Sequence, residues 1–202
     1  MRLTRRSLVS LAAVAPFAGA APGRAAEDPR MGERSLGRPD AKLAVGEFFS
    51  LTCTHCAAFA RETLPKVKIE LIDSGKIRLV FRDFPLDQLG LTAAMVARSV
   101  APERYEPFIM ALFASQDRWA FARNINNFEE IWKLAALAGM NRATFDATVA
   151  DDGLKTAILA AQDAAVKRWN INSTPSFVIK GEVYAGALSF ERFNQVVTAA
   201  LA

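Results

Sequence analysis

The sequence predicts an α/β fold interrupted by an all-helical domain, and three observations carry that expectation. Apolar runs bounded by turn residues occur at residues 43–49, 77–81 and 176–185, as buried strands require. The long stretch between the second and third runs shows apolar residues only at helical spacing. A chain of 202 residues, 51% hydrophobic and 23% charged, has the composition of one packed body, with no low-complexity tract and no repeat of solenoid period.

Residues 1–26 read as a processing signal. They carry Arg2, Arg5, Arg6 and Arg24 and no acid. Leu8 to Ala21 is mostly apolar but broken by Ser10, Pro16 and Gly19, and it is shorter than the about 20 residues of a membrane-spanning helix. A basic start, an apolar middle and small residues at Ala18-Gly19-Ala20 or near Ala25 and Ala26 are the parts of a cleaved export leader. Thr4-Arg5-Arg6-Ser7-Leu8-Val9 also resembles a twin-arginine signal, although the same arginines suit a general secretory leader. An Arg-rich transit peptide is a third reading. Losing four of the 25 basic residues and none of the 21 acids leaves 21 of each sign. The basic balance therefore belongs to the leader, and no basic patch argues for nucleic acid.

After a polar segment to about Asp40, Leu43 to Phe49 is the first strand. Ser50-Leu51-Thr52 then turns the chain into Cys53. Phe59, Ala60, Thr63, Leu64, Val67 and Leu71 recur at three and four, the mark of an amphipathic helix. Pro65 lies inside it, and because its ring excludes a hydrogen bond of the preceding turn the helix should kink or divide there. Asp73-Ser74-Gly75 ends the helix, and Ile77 to Phe81 is the second strand. Across residues 86–166 no strand is expected. Ala93 to Val100, Tyr105 to Ala114, Phe128 to Ala138 and Leu154 to Trp169 read as helices, with Gly139 as a C-cap and a shorter helix or turn from Arg142 to Val149. Ser176 to Lys180 and Glu182 to Ala185 form a hairpin about Gly181. The last helix starts at the N-cap Ser189 and runs through Phe193, Val196, Val197 and Ala200. Strand–helix–strand over 34–85 and strand–strand–helix over 167–202, split by the helical block 86–166, is the order of a thioredoxin-like fold with an inserted all-helical domain.

Cys53-Thr54-His55-Cys56 holds both cysteines and the single histidine of the chain. Two cysteines at this spacing at a helix start can close a disulfide, with the first exposed and the second covered. The helix N-terminus carries about half a positive charge, which favours thiolate over thiol. A Cys-x-x-Cys thiol can fall to a pKa of about 3.5–7.5, and His55, protonated or donating a hydrogen bond, adds to this. Stabilising the reduced thiolate but not the disulfide makes the pair more oxidising, by about 30 mV per 1.4 kcal/mol. The motif thus points to an oxidant of other proteins. A structural staple gains little from so short a loop. A zinc site of this type takes four ligands, and a c-type haem attachment needs His where Ala57 stands.

Two further features belong to the same site. Glu47 lies six residues before Cys53 among apolar neighbours. It is either a buried proton acceptor beneath the dicysteine, assisting Cys56, or an acid solvated at the strand end. Thr174-Pro175 opens the hairpin, where a cis bond is expected before the third strand of this fold, against the alternative of a trans turn proline. A cis bond there would offer the Thr174 backbone to an extended substrate peptide.

Glu47-Phe-Phe-Ser50, Cys53-Thr-His-Cys56, Phe81-Arg-Asp-Phe-Pro85 and Ser173-Thr-Pro-Ser-Phe177, in that order, resemble the DsbA family of periplasmic thiol:disulfide interchange proteins over residues 34–201. The resemblance implies Cys53 as nucleophile, Cys56 as resolving cysteine, His55 as thiolate stabiliser and Pro175 as the cis-proline. Thr54 stands where the best-known oxidases have Pro. It further implies donation of the Cys53–Cys56 disulfide to reduced, unfolded exported proteins, with reoxidation by a membrane quinone-linked partner. No cofactor beyond the cysteines is expected, since no phosphate-cradling glycine motif occurs. A disulfide reductase or isomerase is the near alternative. Dimeric isomerases carry a dimerisation domain for which the stretch from Glu27 to Cys53 is too short, so a monomer is expected. A Cu(I)-binding module using Cys53, Cys56 and His55 is the alternative from another class, because thiolates suit Cu(I).

Overall fold

The computed structural model describes residues 28–202; the export signal expected at 1–26 lies outside the described residues. Five strands, β1 (Arg34–Leu36), β2 (Leu43–Phe49), β3 (Ile77–Asp83), β4 (Ser176–Ile179) and β5 (Glu182–Ala185), form one sheet in the order β1-β3-β2-β4-β5. β2 and β3 run parallel and the remaining neighbours antiparallel. A parallel pair needs a crossover long enough to return the chain, and the helix carrying the cysteines supplies it.

That helix is not regular. It runs as α1 (Thr54–Ala58), a π turn at Phe59–Thr63, α2 (Leu64–Val67) and a second π turn at Lys68–Ile72. The amide of Leu64 reaches back to the Phe59 carbonyl, and Asp73 N–H reaches the Lys68 carbonyl at 2.8 Å. Pro65, without an amide hydrogen, sits between the two wide turns, so the division expected at this residue takes the form of paired π turns.

The inserted helices are α3 (Gln88–Ser99), α4 (Tyr105–Ala114), α5 (Gln116–Trp119), α6 (Asn127–Leu137), α7 (Arg142–Val149) and α8 (Asp152–Trp169); α9 (Phe190–Leu201) closes the fold. Side chains of Asp87, Asn126, Asn141, Asp151 and Ser189 accept from amides of the first turns of α3, α6, α7, α8 and α9. The structure corrects three sequence expectations. The polar segment before Asp40 contains β1, whose three residues alternate too briefly to show a period. The first inserted helix begins at Gln88, five residues before Ala93, because Asp87 accepts from the Gly90 amide at 2.6 Å and starts the helix through a polar turn. A further short helix, α5, precedes α6.

The odd-numbered side of the sheet carries the main core. The Phe177 ring lies 4.7 Å from Phe59 and 5.3 Å from Phe193, joining β4 to the cysteine helix and α9. Phe49 packs edge-on against Phe81 at 6.0 Å and Phe113 at 5.8 Å, joining the sheet to α4. On the even-numbered side, Phe48, Phe84, Ala165 and Ile171 form a smaller cluster under α8. The insertion is tied to the end of β3 by a buried ion pair. Arg98 Nε donates to Asp83 at 2.6 Å, and its Nη1 donates to the Gly32 carbonyl at 2.8 Å. The Tyr105 hydroxyl donates to the other Asp83 oxygen at 3.4 Å. Removing one member of such a pair leaves an uncompensated buried charge.

Candidate active site

Cys53 is where β2 hands the chain to α1. The Ser50–Thr52 loop brings it there, with its amide bonded to the Ser50 carbonyl at 3.1 Å. Its backbone is extended and forms the N-cap of α1, so the free amides of the first helical turn face its sulfur. Cys53 is 8% exposed and Cys56 0%, and both are free thiols. Both are buried, Cys53 with a small opening and Cys56 sealed, so the exposure expected of the first cysteine is not found.

The electrostatics separate them further. Cys53 is lowered to about 5 from its ordinary 9.0 by the Cys56 thiol, which donates to it, then by the Thr174 side chain and the amides of Cys56 and His55; burial opposes these. His55 itself is exposed on the first turn of α1, and its contribution to Cys53 comes through its backbone amide. Cys56 moves strongly the other way. Burial raises it first, and the neighbouring Cys53 and then the charge of Glu47 add to the rise.

The Thr174–Pro175 bond is cis, and the Thr174 carbonyl accepts from the Cys53 thiol at 3.3 Å. The Thr174 hydroxyl is buried without a hydrogen-bond partner. The Thr174 side chain, whose hydroxyl has a proton to give a thiolate, adds to the lowering of Cys53 after Cys56 and ahead of the helix amides.

Glu47 lies in β2 with Phe81 and Phe177 opposite it on the two flanking strands. It is 2% exposed, which replaces the alternative of an acid solvated at the strand end. One carboxyl oxygen has no hydrogen-bond partner, and burial raises the group from 4.5 to about 8. A carboxyl in apolar surroundings holds its proton because the charged form loses its hydration.

Several residues that frame the loop were not singled out by sequence reasoning. Gln116, buried on α5, donates from Nε2 to the carbonyls of Leu51 at 2.8 Å and Cys53 at 3.1 Å. It clamps the cysteine loop from the helical insertion. Thr52 Oγ1 donates to Asp87 at 2.8 Å and lies 3.0 Å from Ser50 Oγ, which also accepts from the Leu86 amide. A Cβ on Gly90 would stand 2.9 Å from Thr52 Oγ1, so glycine is what lets α3 approach the loop. These contacts join residues far apart in the chain, and nothing in the local pattern of either partner signals them. Among the described residues, no group of three or more His, Cys, Asp or Glu side chains is placed to hold a metal ion.

Comparison with known proteins agrees with this fold. A family model described as thioredoxin matches residues 30–199. The crystal structure of Wolbachia pipientis alpha-DsbA1 shares 30% identity at a TM-score of 0.77, covering 85% of this chain and 92% of that one. A putative protein-disulfide oxidoreductase of Rickettsia bellii is 29% identical over 148 residues, 72% of this chain, and the chain spans 56% of that relative's length. The thiol:disulfide interchange protein DsbA of Bordetella parapertussis is 27% identical over 161 residues, 73% of this chain and 72% of that one. The chain belongs to the thioredoxin family and, within it, to the DsbA proteins.

Proposed function

We propose that the protein is a periplasmic protein-disulfide oxidoreductase that donates its Cys53–Cys56 disulfide to newly exported proteins. The observation that carries this reading is the split between the two sulfurs: Cys53, held near 5, is the better leaving group and the more stable thiolate, while Cys56 is sealed and raised. A substrate thiolate attacks Cys53 Sγ, the Cys53–Cys56 bond breaks, and Cys56 leaves with the electron pair. Glu47, still protonated near neutral pH, serves as the proton source for the departing Cys56 thiolate. A second substrate thiolate then attacks the substrate sulfur of the mixed disulfide, and Cys53 leaves as a stabilised thiolate. Two electrons have moved from substrate dithiol to enzyme disulfide.

The Thr174 backbone, already against Cys53, is the surface on which an extended substrate strand would lie, with Pro175 fixing the turn. Several further elements of this reading rest on sequence and resemblance. They are export directed by residues 1–26, action as a monomer on reduced, unfolded exported proteins, and reoxidation by a membrane quinone-linked partner. The oxidised protein is expected to consume the thiols of a reduced, unfolded multi-cysteine substrate while becoming dithiol itself. Free-thiol quantification checks this, and an unchanged substrate contradicts the reading.

A further inference from the structure

The even-numbered face of the sheet, away from the dicysteine, is covered at one end and open at the other. Where α8 crosses it, Phe48, Phe84, Ala165 and Ile171 close the packing. Alongside α8 the side chains shrink to Ala44 and Gly46, beside Val80 and Val178, and leave a groove of about 610 Å³ between the sheet and Ala161, Ala164 and Arg168 of the helix. That volume lies within the about 300–1,000 Å³ of small-molecule sites.

Gly46 is not required by its backbone, which is not left-handed. Nor is it required by packing: a Cβ there would meet Phe48 at 3.5 Å and Val178 at 3.9 Å, both ordinary contacts. Glycine weakens a strand interior, and here its effect is to keep the floor of the groove deep.

The rim has one dominant sign. Arg78 and Arg82 share a single acid, Glu33, with Arg82 at 3.5 Å from it. Deeper in, Arg98 and Asp83 neutralise each other. Arg168 and Lys180 are exposed and form no ion pair among the described residues. Both line the groove; the Arg168 guanidinium lies 4.6 Å from the Trp169 ring centre, and that ring stands 3.8 Å from the Cβ position of Gly181, the turn residue after Lys180. Two cations without an acidic partner among the described residues therefore border a floor of central strands, which offers no free sheet edge for a peptide strand.

We propose that this groove binds a single-chain anionic amphiphile, a carboxylate on an apolar tail. Arg168 and Lys180 hold the head, and the tail lies over Gly46 between Val80 and Val178. Cationic side chains recognise carboxylate, and the guanidinium does so through paired N–H donors. This site is independent of the thiol–disulfide reading above.

Calorimetric titration of the whole protein with sodium dodecanoate, below its micelle concentration, tests it. Dodecyltrimethylammonium serves as the same tail with the opposite head. Saturable one-to-one binding of dodecanoate is expected, with affinity lowered about tenfold or more in the Arg168→Glu/Lys180→Glu double variant and in Gly46→Val. The cationic amphiphile should bind at least about tenfold more weakly than dodecanoate. If Gly46→Val fails to fold, Gly46→Ala and the surface double variant still decide. Absence of saturable dodecanoate binding overturns the proposal, as does equal affinity for the two head groups or indifference to the charge reversals. Co-sedimentation with phosphatidylglycerol vesicles without binding of monomeric dodecanoate also overturns it, in favour of a membrane-facing surface.

Discussion

Cys53→Ser protein is expected to lose thiol–disulfide exchange by at least about a thousandfold, whereas Cys56→Ser protein is expected to react once and then stall. The asymmetry follows from the two environments. Cys53 is the less buried sulfur, at the helix start, and is held near 5, so in the proposed reaction it supplies the attacking and leaving sulfur. Serine there keeps the hydrogen-bonding shape but is not ionised at neutral pH. Cys56 is sealed and raised, and in the proposed reaction it re-forms or releases the internal bond. Without it, a mixed disulfide between Cys53 and a disulfide-bonded substrate persists and is visible by mass spectrometry. The same environments set a pH profile. In reduced wild-type protein one thiol should react with iodoacetamide, its rate rising through about pH 5 and level by neutrality. A midpoint near the ordinary cysteine value, or two thiols reacting alike, would contradict the assignment.

The second large effect is on stability. Glu47 keeps its proton to about pH 8 in the folded protein but loses it near 4.5 when unfolded. Between those values the native state binds a proton that the unfolded state lacks. This contribution is therefore complete below about pH 4.5 and is lost as pH rises through about 8. At about 1.4 kcal/mol per unit, the loss across the window amounts to several kcal/mol. Glu47→Gln retains the shape and removes the titration, so its stability should be nearly level over the same range. Denaturant unfolding of the oxidised proteins at pH 5, 6.5 and 8 makes the comparison. The oxidised form is required because a free Cys53 thiolate contributes with the opposite sign, its lowered value adding stability as pH rises. Parallel curves for wild type and Glu47→Gln would refute the buried-acid account.

Much of this architecture is visible in the chain because it depends on local patterns. Leu43 to Phe49 reads as a strand because apolar residues dominate it, and Pro65 marks a break because proline acts on its own helix. The dicysteine and the Thr174–Pro175 step are legible because short motifs at fixed places carry the chemistry. What was missed depends on distance. Three residues of β1 show no period alone and are held by pairing with β3. The first turn of α3 contains Gly90, which weakens a helix in isolation, yet Thr52 and Ser50 approach so closely there that a side chain would collide. Gln116 and the Asp83–Arg98–Tyr105 cluster are ordinary polar residues until folding brings their partners across the sheet. At the dicysteine, His55 suggested a ring effect, and the structure shows its backbone amide among the groups that lower Cys53.

The claim at the centre of this account is that the Cys53–Cys56 pair gives its disulfide away. Its most direct test is the equilibrium reduction potential, measured by poising the protein in glutathione redox buffers and quantifying the dithiol fraction. A Cys53 thiolate stabilised only in the reduced form predicts a potential well above thioredoxin's about −270 mV, on the side of the strong oxidant near −120 mV. A value at or below about −270 mV would contradict it and make the protein a reductant.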